Sequence, residues 1–394
     1  MMYKSIYLKR GKEESLKRFH PWIFSGAIDE TDDNILEGDV VRVFTHNKEF
    51  VAVGLYQIGS IAVRVLSFRD IEINMDFWIN RLQSAYNLRK SIGVIRISDN
   101  TTYRLVHGEG DNLPGLVIDC YGDTAVMQAH NVGIHIFRFD ICNALIAIMG
   151  DTIKSVYYKS ETTLPFKADV EHENGFIYGE MNSDITVENN LKFHVDWLKG
   201  QKTGFFVDQR ENRALLETYS KDRSVLNMFC YTGGFSVYAM RGGANVVHSV
   251  DSSSKAIELT NRNIDLNFHG DTRHTAFCED AFKYLDKNDA MYDLIILDPP
   301  AFAKHRMALR NALKGYTRLN MKGLQRIKSG GLLFTFSCSQ IVTKENFRNA
   351  VFTAATQANR KVRILHQLHQ PADHPINIYH PEGEYLKGLV LYVE

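Results

Sequence analysis

Apolar and polar positions change their period twice along the chain. Up to about residue 71 the apolar residues come in short runs, Val40 to Phe44, Val51 to Leu55 and Ile61 to Leu66, with the turn pairs Gly38-Asp39 and Gly59-Ser60 between them. Short runs so punctuated predict a small β-barrel. From Asp76 to Ile92 the residues Phe77, Ile79, Leu82, Ala85, Tyr86 and Leu88 recur near helical spacing, which predicts an amphipathic helix. Strands are expected at Gly115 to Asp119 and Thr124 to Ala129 around the turn Tyr121-Gly122-Asp123. A helix from about His135 to Met149 and a strand near Val156 complete an α+β layer.

Beyond about residue 185 the pattern changes again. A hairpin around Asn189-Asn190 and a loop from Lys199 to Gly204 precede a strict alternation of strand and helix. The strands are Val225 to Phe229, Val246 to Val250, Leu294 to Leu297 and Leu332 to Phe336. Strands separated by helices imply a parallel sheet with right-handed crossovers. The last two, Val362 to Leu365 and Gly388 to Val393, are expected to pair antiparallel at one edge. The expected division is 1–71, 72–185 and 186–394, since 394 residues exceed what one core usually organises.

Composition narrows the class. An apolar fraction of 44% is ordinary for a globular protein, and neither a membrane-length apolar run nor a signal-like N-terminus is present, so the cytosol is the expected compartment. Five cysteines, Cys120, Cys142, Cys230, Cys278 and Cys338, are scattered without a CxxC, which suits reduced thiols; no metal is expected. The 46 basic side chains equal the 46 acidic ones, so binding of nucleic acid would have to rest on local clusters. One such cluster runs from Lys304 to Lys328 through Arg306, Arg310, Lys314, Arg318, Lys322 and Arg326, without a single acid. It reads either as a solvated helix face or as a phosphate-contacting segment.

The chemistry gathers at predicted strand ends. The strand to Phe229 runs into Cys230-Tyr231-Thr232-Gly233-Gly234, a glycine turn feeding a helix, where ligand atoms can approach the backbone closely. It is not GxGxxG, which disfavours a dinucleotide. The next strand ends in Asp251, placed to accept hydrogen bonds from ribose hydroxyls, and the following one leads to Asp280, placed to meet an adenine amino group. Each of these acids also reads as a helix N-cap. The fourth strand ends in Asp298-Pro299-Pro300, where two prolines end the ladder and hold the acid at the sheet edge. The fifth emerges as Ser337-Cys338-Ser339, on the same edge.

These features, with His20-Pro21-Trp22-Ile23-Phe24-Ser25-Gly26, Gly110-Asp111-Asn112-Leu113-Pro114-Gly115-Leu116 and Thr203-Gly204-Phe205-Phe206-Val207-Asp208-Gln209-Arg210, resemble the bacterial large-subunit ribosomal RNA cytosine-5 methyltransferases across essentially the whole chain. The resemblance implies an N-terminal PUA-like β-barrel, a central α+β EEHEE domain and an α/β, Rossmann-like class I methyltransferase domain. It implies S-adenosylmethionine as cofactor, S-adenosylhomocysteine as product, and a site lined by Gln209, Arg210, Phe229, Tyr231, Gly233, Asp251 and Asp280, with Thr203, Ser252, Ala281 and Asp298 completing the set. Cys338 would be the catalytic nucleophile, since carbon-5 of cytosine becomes electron-rich only after addition at carbon-6, and Asp298 would hold the amino group and ring nitrogen. In some other RNA cytosine-5 methyltransferases a second cysteine precedes proline in this turn and is available to release the adduct. Here that residue is Asp298, so the base that removes the carbon-5 proton is unassigned.

The implied partner is ribosomal RNA, free or in an assembling large subunit, with Arg306, Arg310 and Lys314 on flanking phosphates and Lys9 and Arg10 on the barrel as a second contact. Phe302 reads as a receiver of the flipped base or as core packing. Monomer and homodimer are both open. Three rivals stand beside this reading. An amino-group methyltransferase on guanine or adenine fits Asp-Pro-Pro, but Ala301 occupies the expected aromatic position and Cys338 has no use. A non-catalytic RNA-binding or assembly factor would not need Gly233, Asp251, Asp280, Asp298 and Cys338 together. A small-molecule methyltransferase would not need the barrel.

Overall fold

A computed structural model describes residues 3–165, 173–303 and 305–394. The chain divides into two compact units, Met1–Asn190 with Val195–Val207 and Ala372–Gly383, and Leu191–His194 with Asp208–Pro371 and Glu384–Glu394. No helix among the described residues is long and apolar enough to cross a membrane.

The first unit carries two sheets. Strands β1 (Lys4–Leu8), β2 (Trp22–Phe24), β3 (Ile28–Thr31), β4 (Val40–Phe44), β5 (Phe50–Tyr56) and β6 (Ile61–Ser67), with the single turn α1 (Glu14–Lys17), form a six-stranded sheet in the order β2-β6-β5-β4-β1-β3. Alternation of apolar and polar residues turns Ile6, Leu8, Val41, Val43, Val63 and Val65 into one small core.

After the helix α2 (Met75–Ser91) come β7 (Thr102–His107), β8 (Leu116–Tyr121), β9 (Thr124–Ala129), helices α3 (Val132–Ile136) and α4 (Arg138–Met149), β10 (Ser155–Tyr158) and β11 (Gly175–Tyr178). The sheet order is β11-β10-β9-β8-β7, with only β9 and β10 parallel, across the α3–α4 crossover. Strands β7 and β11 were not anticipated, since neither shows a clean alternation. The expected helix from His135 begins earlier, because Asn131 caps it by accepting a hydrogen bond from the Ile134 amide at 2.8 Å, and it is broken at Phe137. A core of α2, α4 and the second sheet also takes in Val53, Leu55 and Leu66 from the first.

Between the short strands β12 (Ile185–Glu188) and β13 (Leu191–His194), Asn189 and Asn190 both take positive φ, at the turn expected there. The second unit then alternates as the sequence predicts: α5 (Arg210–Thr218), β14 (Ser224–Met228), α6 (Gly234–Arg241), β15 (Val246–Asp251), α7 (Ser254–Asn267), β16 (His274–Cys278), α8 (Ala281–Lys287), β17 (Tyr292–Leu297), α9 (Leu309–Gln325), β18 (Ile327–Ser337), α10 (Lys344–Gln357), β19 (Val362–Leu368) and β20 (Lys387–Val393). The seven-stranded order is β16-β15-β14-β17-β18-β20-β19. Strands β14 to β18 are parallel, while β20 runs antiparallel to both of its neighbours. The inner strands are apolar on both faces, as a sheet covered on two sides requires. Strand order reverses between β14 and β17, and ligands of open α/β sheets bind beyond the carboxyl ends of the strands at such a reversal.

Candidate active site

Five strand ends of the second unit meet at this reversal. Beyond β14 the backbone is strained: Phe229, Tyr231 and Gly233 all have positive φ, at 59°, 48° and 76°. Only glycine adopts this region freely, and non-glycine residues held there cluster at functional sites. A Cβ on Gly233 would approach the Thr260 side chain to 2.7 Å, so the loop cannot relax toward an ordinary residue. Asp251, at the end of β15, fixes the loop: one oxygen accepts from the Tyr231 amide at 3.0 Å and the other from the Ser253 amide at 2.9 Å. Each oxygen retains a lone pair, the acceptor set that two vicinal hydroxyls need. Thr260 ties the same loop from behind, donating to the Tyr231 carbonyl at 2.9 Å.

Asp280 caps α8, one oxygen accepting from the amides of Phe282 and Lys283 at 3.0 Å each. The capping reading is the one seen, and it leaves the second oxygen uncommitted to the cap. Ala281 behind it is buried and Ser252 is exposed. A cradle of positive-φ backbone, a close-approach glycine and a carboxylate with spare acceptors matches the nucleoside half of S-adenosylmethionine. Thr203 belongs to the first unit, where its hydroxyl donates to Asp119 at 2.6 Å.

The other half of the rim carries reactive groups. Asp298 follows β17, and its hydrogen bond comes from Gln209 Nε2 at 3.0 Å; Asn212 in turn donates to Gln209 Oε1 at 2.6 Å and so fixes which way the amide points. Burial, then the charge of Asp208, push the Asp298 carboxyl up to about 7, against the opposing pull of Gln209 and Arg213. Arg210, expected at the cofactor site, is buried on α5 beside this pair.

Cys338 lies just past β18, which pairs in parallel with β17 through Leu297 and Thr335. It is half-open, whereas Ser337 and Ser339 on either side are buried. The serines explain the Ser-Cys-Ser pattern: Ser337 donates to the Tyr316 hydroxyl at 2.9 Å, and Ser339 donates to the Ala303 carbonyl at 2.7 Å, tying the cysteine turn to the loop that follows Asp298. Burial and the charges of Asp298 and Asp208 push the Cys338 thiol up to about 12, and Lys387 pulls the other way. Lys387 opens β20 opposite Ser337 and donates to the Ser339 carbonyl at 2.6 Å; burial lowers its ammonium to about 8. Cys230 is buried against Thr260, and burial pushes its thiol up to about 12 as well. Phe302 packs against the fully buried Tyr316 at 4.7 Å between ring centroids, which is the core-packing outcome.

The basic segment divides in two. Lys304 lies outside the described residues. Lys322, Arg326 and Lys328 pair with Asp286, Asp289 and Asp293 from elsewhere in the unit, and Arg318 stacks over Phe282 at 4.9 Å. Arg306, Arg310 and Lys314 are exposed, with no ion pair to them among the described residues. Arg310 and Lys314 line a groove of about 570 Å³ between α9 and α10, with Arg318, Asn346, Asn349 and Thr353. In the first unit Lys9 and Arg10 are exposed just after β1, Lys9 donating to the Gly26 carbonyl at 3.2 Å. There His20, His380 and Glu382 bring three potential metal-ligand atoms within 4.8 Å, where His380 and Glu382 already face each other at 3.0 Å.

Sequence reasoning assigned no role to Asp208, Asn212, Tyr316, Tyr385 or Lys387. The Asp208-Gln209-Arg210 run was a visible signal; the others come from elements whose convergence only the fold discloses.

Comparison with known proteins agrees with the geometry. A family profile of S-adenosylmethionine-dependent methyltransferases matches residues 167–376, and one of PUA-like domains matches residues 6–68. The ribosomal RNA large subunit methyltransferase I of Aeromonas hydrophila is 41% identical over 99% of both chains, and that of Vibrio parahaemolyticus is 38% identical over the whole of both. A crystal structure of a methyltransferase in complex with S-adenosylhomocysteine aligns over 100% of both chains with TM-score 0.84 at 25% identity. Full-length kinship of this degree, on a sheet whose rim has the matching cradle, places the chain in the S-adenosylmethionine-dependent methyltransferase family, among the ribosomal RNA large subunit methyltransferase I proteins.

Proposed function

We propose that this protein methylates carbon-5 of a cytosine in large-subunit ribosomal RNA, in the cytoplasm. The observation that carries the reading is the half-open Cys338 thiol beside the Asp298 carboxyl at adjacent strand ends. S-adenosylmethionine, when bound, supplies an electrophilic methyl group. The strained Phe229–Gly233 loop and Asp251 hold its nucleoside half, with Asp280, Ser252 and Ala281 on the neighbouring strand end and Gln209 and Arg210 from the α5 side.

Cys338 adds to carbon-6 of the base as thiolate. Lys387 is the cation that favours the thiolate, against the burial and the two carboxylate charges that push the thiol up to about 12. Asp298, protonated for much of the time near neutrality, gives its proton to ring nitrogen 3, so that negative charge does not build up on the ring as sulfur adds. Gln209, oriented by Asn212, keeps the carboxyl aimed.

Arg306, Arg310 and Lys314 grip flanking phosphates, and Lys9 and Arg10 make a second contact through the PUA-like domain, on RNA that is free or part of an assembling subunit. The division 1–71, 72–185 and 186–394 assigns RNA contact to the first segment, scaffolding to the second and chemistry to the third. Replacing Cys338 by Ala tests the proposal: turnover is expected to fall by more than about 10⁴-fold while calorimetry finds S-adenosylmethionine affinity unchanged. Methylation that survives the substitution rejects the thiolate route and leaves amino-group transfer as the alternative.

A further inference from the structure

Methyl transfer to carbon-5 leaves that carbon with both a proton and a methyl group, and the enzyme remains bonded to carbon-6 until a base removes the proton. The residue before the proline pair is Asp298, so no second thiol stands at that turn to do this. Cys230 is buried behind the glycine loop against Thr260. Lys387 has its Nζ held on the Ser339 carbonyl, where it serves as the cation beside the thiolate. Asp298 has its own proton traffic at the ring nitrogen.

We infer that Asp208 is the base that removes the carbon-5 proton, an inference that rests on the cytosine-5 reading. Asp208 immediately precedes Gln209, whose side chain bonds Asp298, so the two carboxylates share one corner of the site. Its two oxygens are treated differently. Oδ2 accepts a hydrogen bond from the Tyr385 hydroxyl at 2.6 Å, which fixes the plane of the carboxylate. Oδ1 is enclosed by protein yet has no hydrogen-bond partner among the described residues. Buried acceptors are almost always satisfied, and the exceptions call for an explanation such as a catalytic role. The charge of Asp208 acts on both Asp298 and Cys338, the two groups that handle the base. Two carboxyls at one corner of a site can divide the proton transfers between an acid and a base. Asp298 is the acid and Asp208 the base.

The step balances without any further reactant. The carbon-5 proton passes to Asp208 Oδ1, and the electrons of the C–H bond become the carbon-5 to carbon-6 double bond. The carbon-6 to sulfur bond breaks with its electron pair on Cys338, and the proton on nitrogen 3 returns to Asp298. The thiolate leaves beside Lys387, and Asp208 loses its proton to water before the next cycle.

The test follows covalent protein–RNA adduct by denaturing gel, using an unmethylated large-subunit ribosomal RNA transcript and methyl-labelled S-adenosylmethionine. Asp208→Asn is expected to slow turnover roughly 10²- to 10⁴-fold while an adduct carrying the methyl label accumulates toward one per enzyme. Wild type should show only a transient adduct and Cys338→Ala none. Near-normal turnover by D208N, or slow turnover without labelled adduct, overturns the assignment and leaves the cytosine-5 reading intact. Methylation by C338A overturns that reading itself. Should D208N fail to fold, Tyr385→Phe decides: labelled adduct that decays about tenfold more slowly than in wild type supports the assignment, and unchanged decay removes it.

Discussion

The two halves of the sheet rim treat their carboxylates in opposite ways. On the cofactor half, Asp251 and Asp280 each accept two backbone amides, and the polypeptide is fixed around them. On the reaction half, Asp298 has one side-chain amide and Asp208 one phenol, and the two acids repel each other while also acting on Cys338. A binding site gains from satisfied groups, because rigidity lowers the cost of ordering the ligand. A proton-transferring site needs the reverse. Asp298, denied its full complement of partners, keeps a displaced proton affinity, and this is what acid–base chemistry uses.

The sharpest way to break this contrast is Asp298→Asn. It should lower turnover roughly 10²- to 10⁴-fold, a far larger effect than its effect on cofactor affinity. It should also stabilise the protein in one pH range only. The Asp298 carboxyl ordinarily titrates near 3.8 and is held at about 7 in the fold, so the unfolded chain releases the proton first and stability is lost as pH rises between those values. Above pH 7 the penalty is complete, and removing the acid should raise Tm by about 2–4 °C at pH 8, shrinking toward pH 5, by calorimetry. A variant that melts lower at pH 8 would contradict the unsatisfied-acid picture.

The mirror experiment is Asp251→Asn, which should weaken S-adenosylmethionine binding about 10- to 100-fold and leave the single-turnover rate at saturating cofactor nearly untouched. A fall in that rate with no change in affinity would erase the distinction between the halves. The smallest effect belongs outside both. Arg310→Ala with Lys314→Ala should weaken RNA binding alike across sequences and reduce the slope of log affinity against log salt by about 1 to 2. An unchanged slope would mean that the α9–α10 groove does not meet phosphate.

Much of this site was legible in the sequence, for a specific reason. In a parallel sheet with regular crossovers, whatever follows a strand lies on one edge, so locating the strands located Gly233, Asp251, Asp298 and Cys338. The Ser-Cys-Ser and Asp-Pro-Pro patterns marked the two adjacent strand ends where Cys338 and Asp298 stand. What stayed hidden depends on packing between segments distant in sequence. Nothing in the string Glu384-Tyr385-Leu386-Lys387 says that its tyrosine grips Asp208 or that its lysine reaches the turn of Cys338. Nor could the run of bases from Lys304 to Lys328 disclose that Lys322, Arg326 and Lys328 meet acids from other elements while Arg310 and Lys314 face a groove. Strand β7 escaped notice because Thr102 to His107 is buried on both faces at several positions, and its polar residues find partners in place of solvent.

Strand β20 is translated after β19 yet is inserted between β19 and β18. Until β20 is in place, β19 has no partner strand, β18 has an open edge, and neither Tyr385 nor Lys387 stands at the rim. Insertion of one strand thus joins β19 to the sheet and, in the same event, brings Tyr385 to Asp208 and Lys387 to the turn of Cys338.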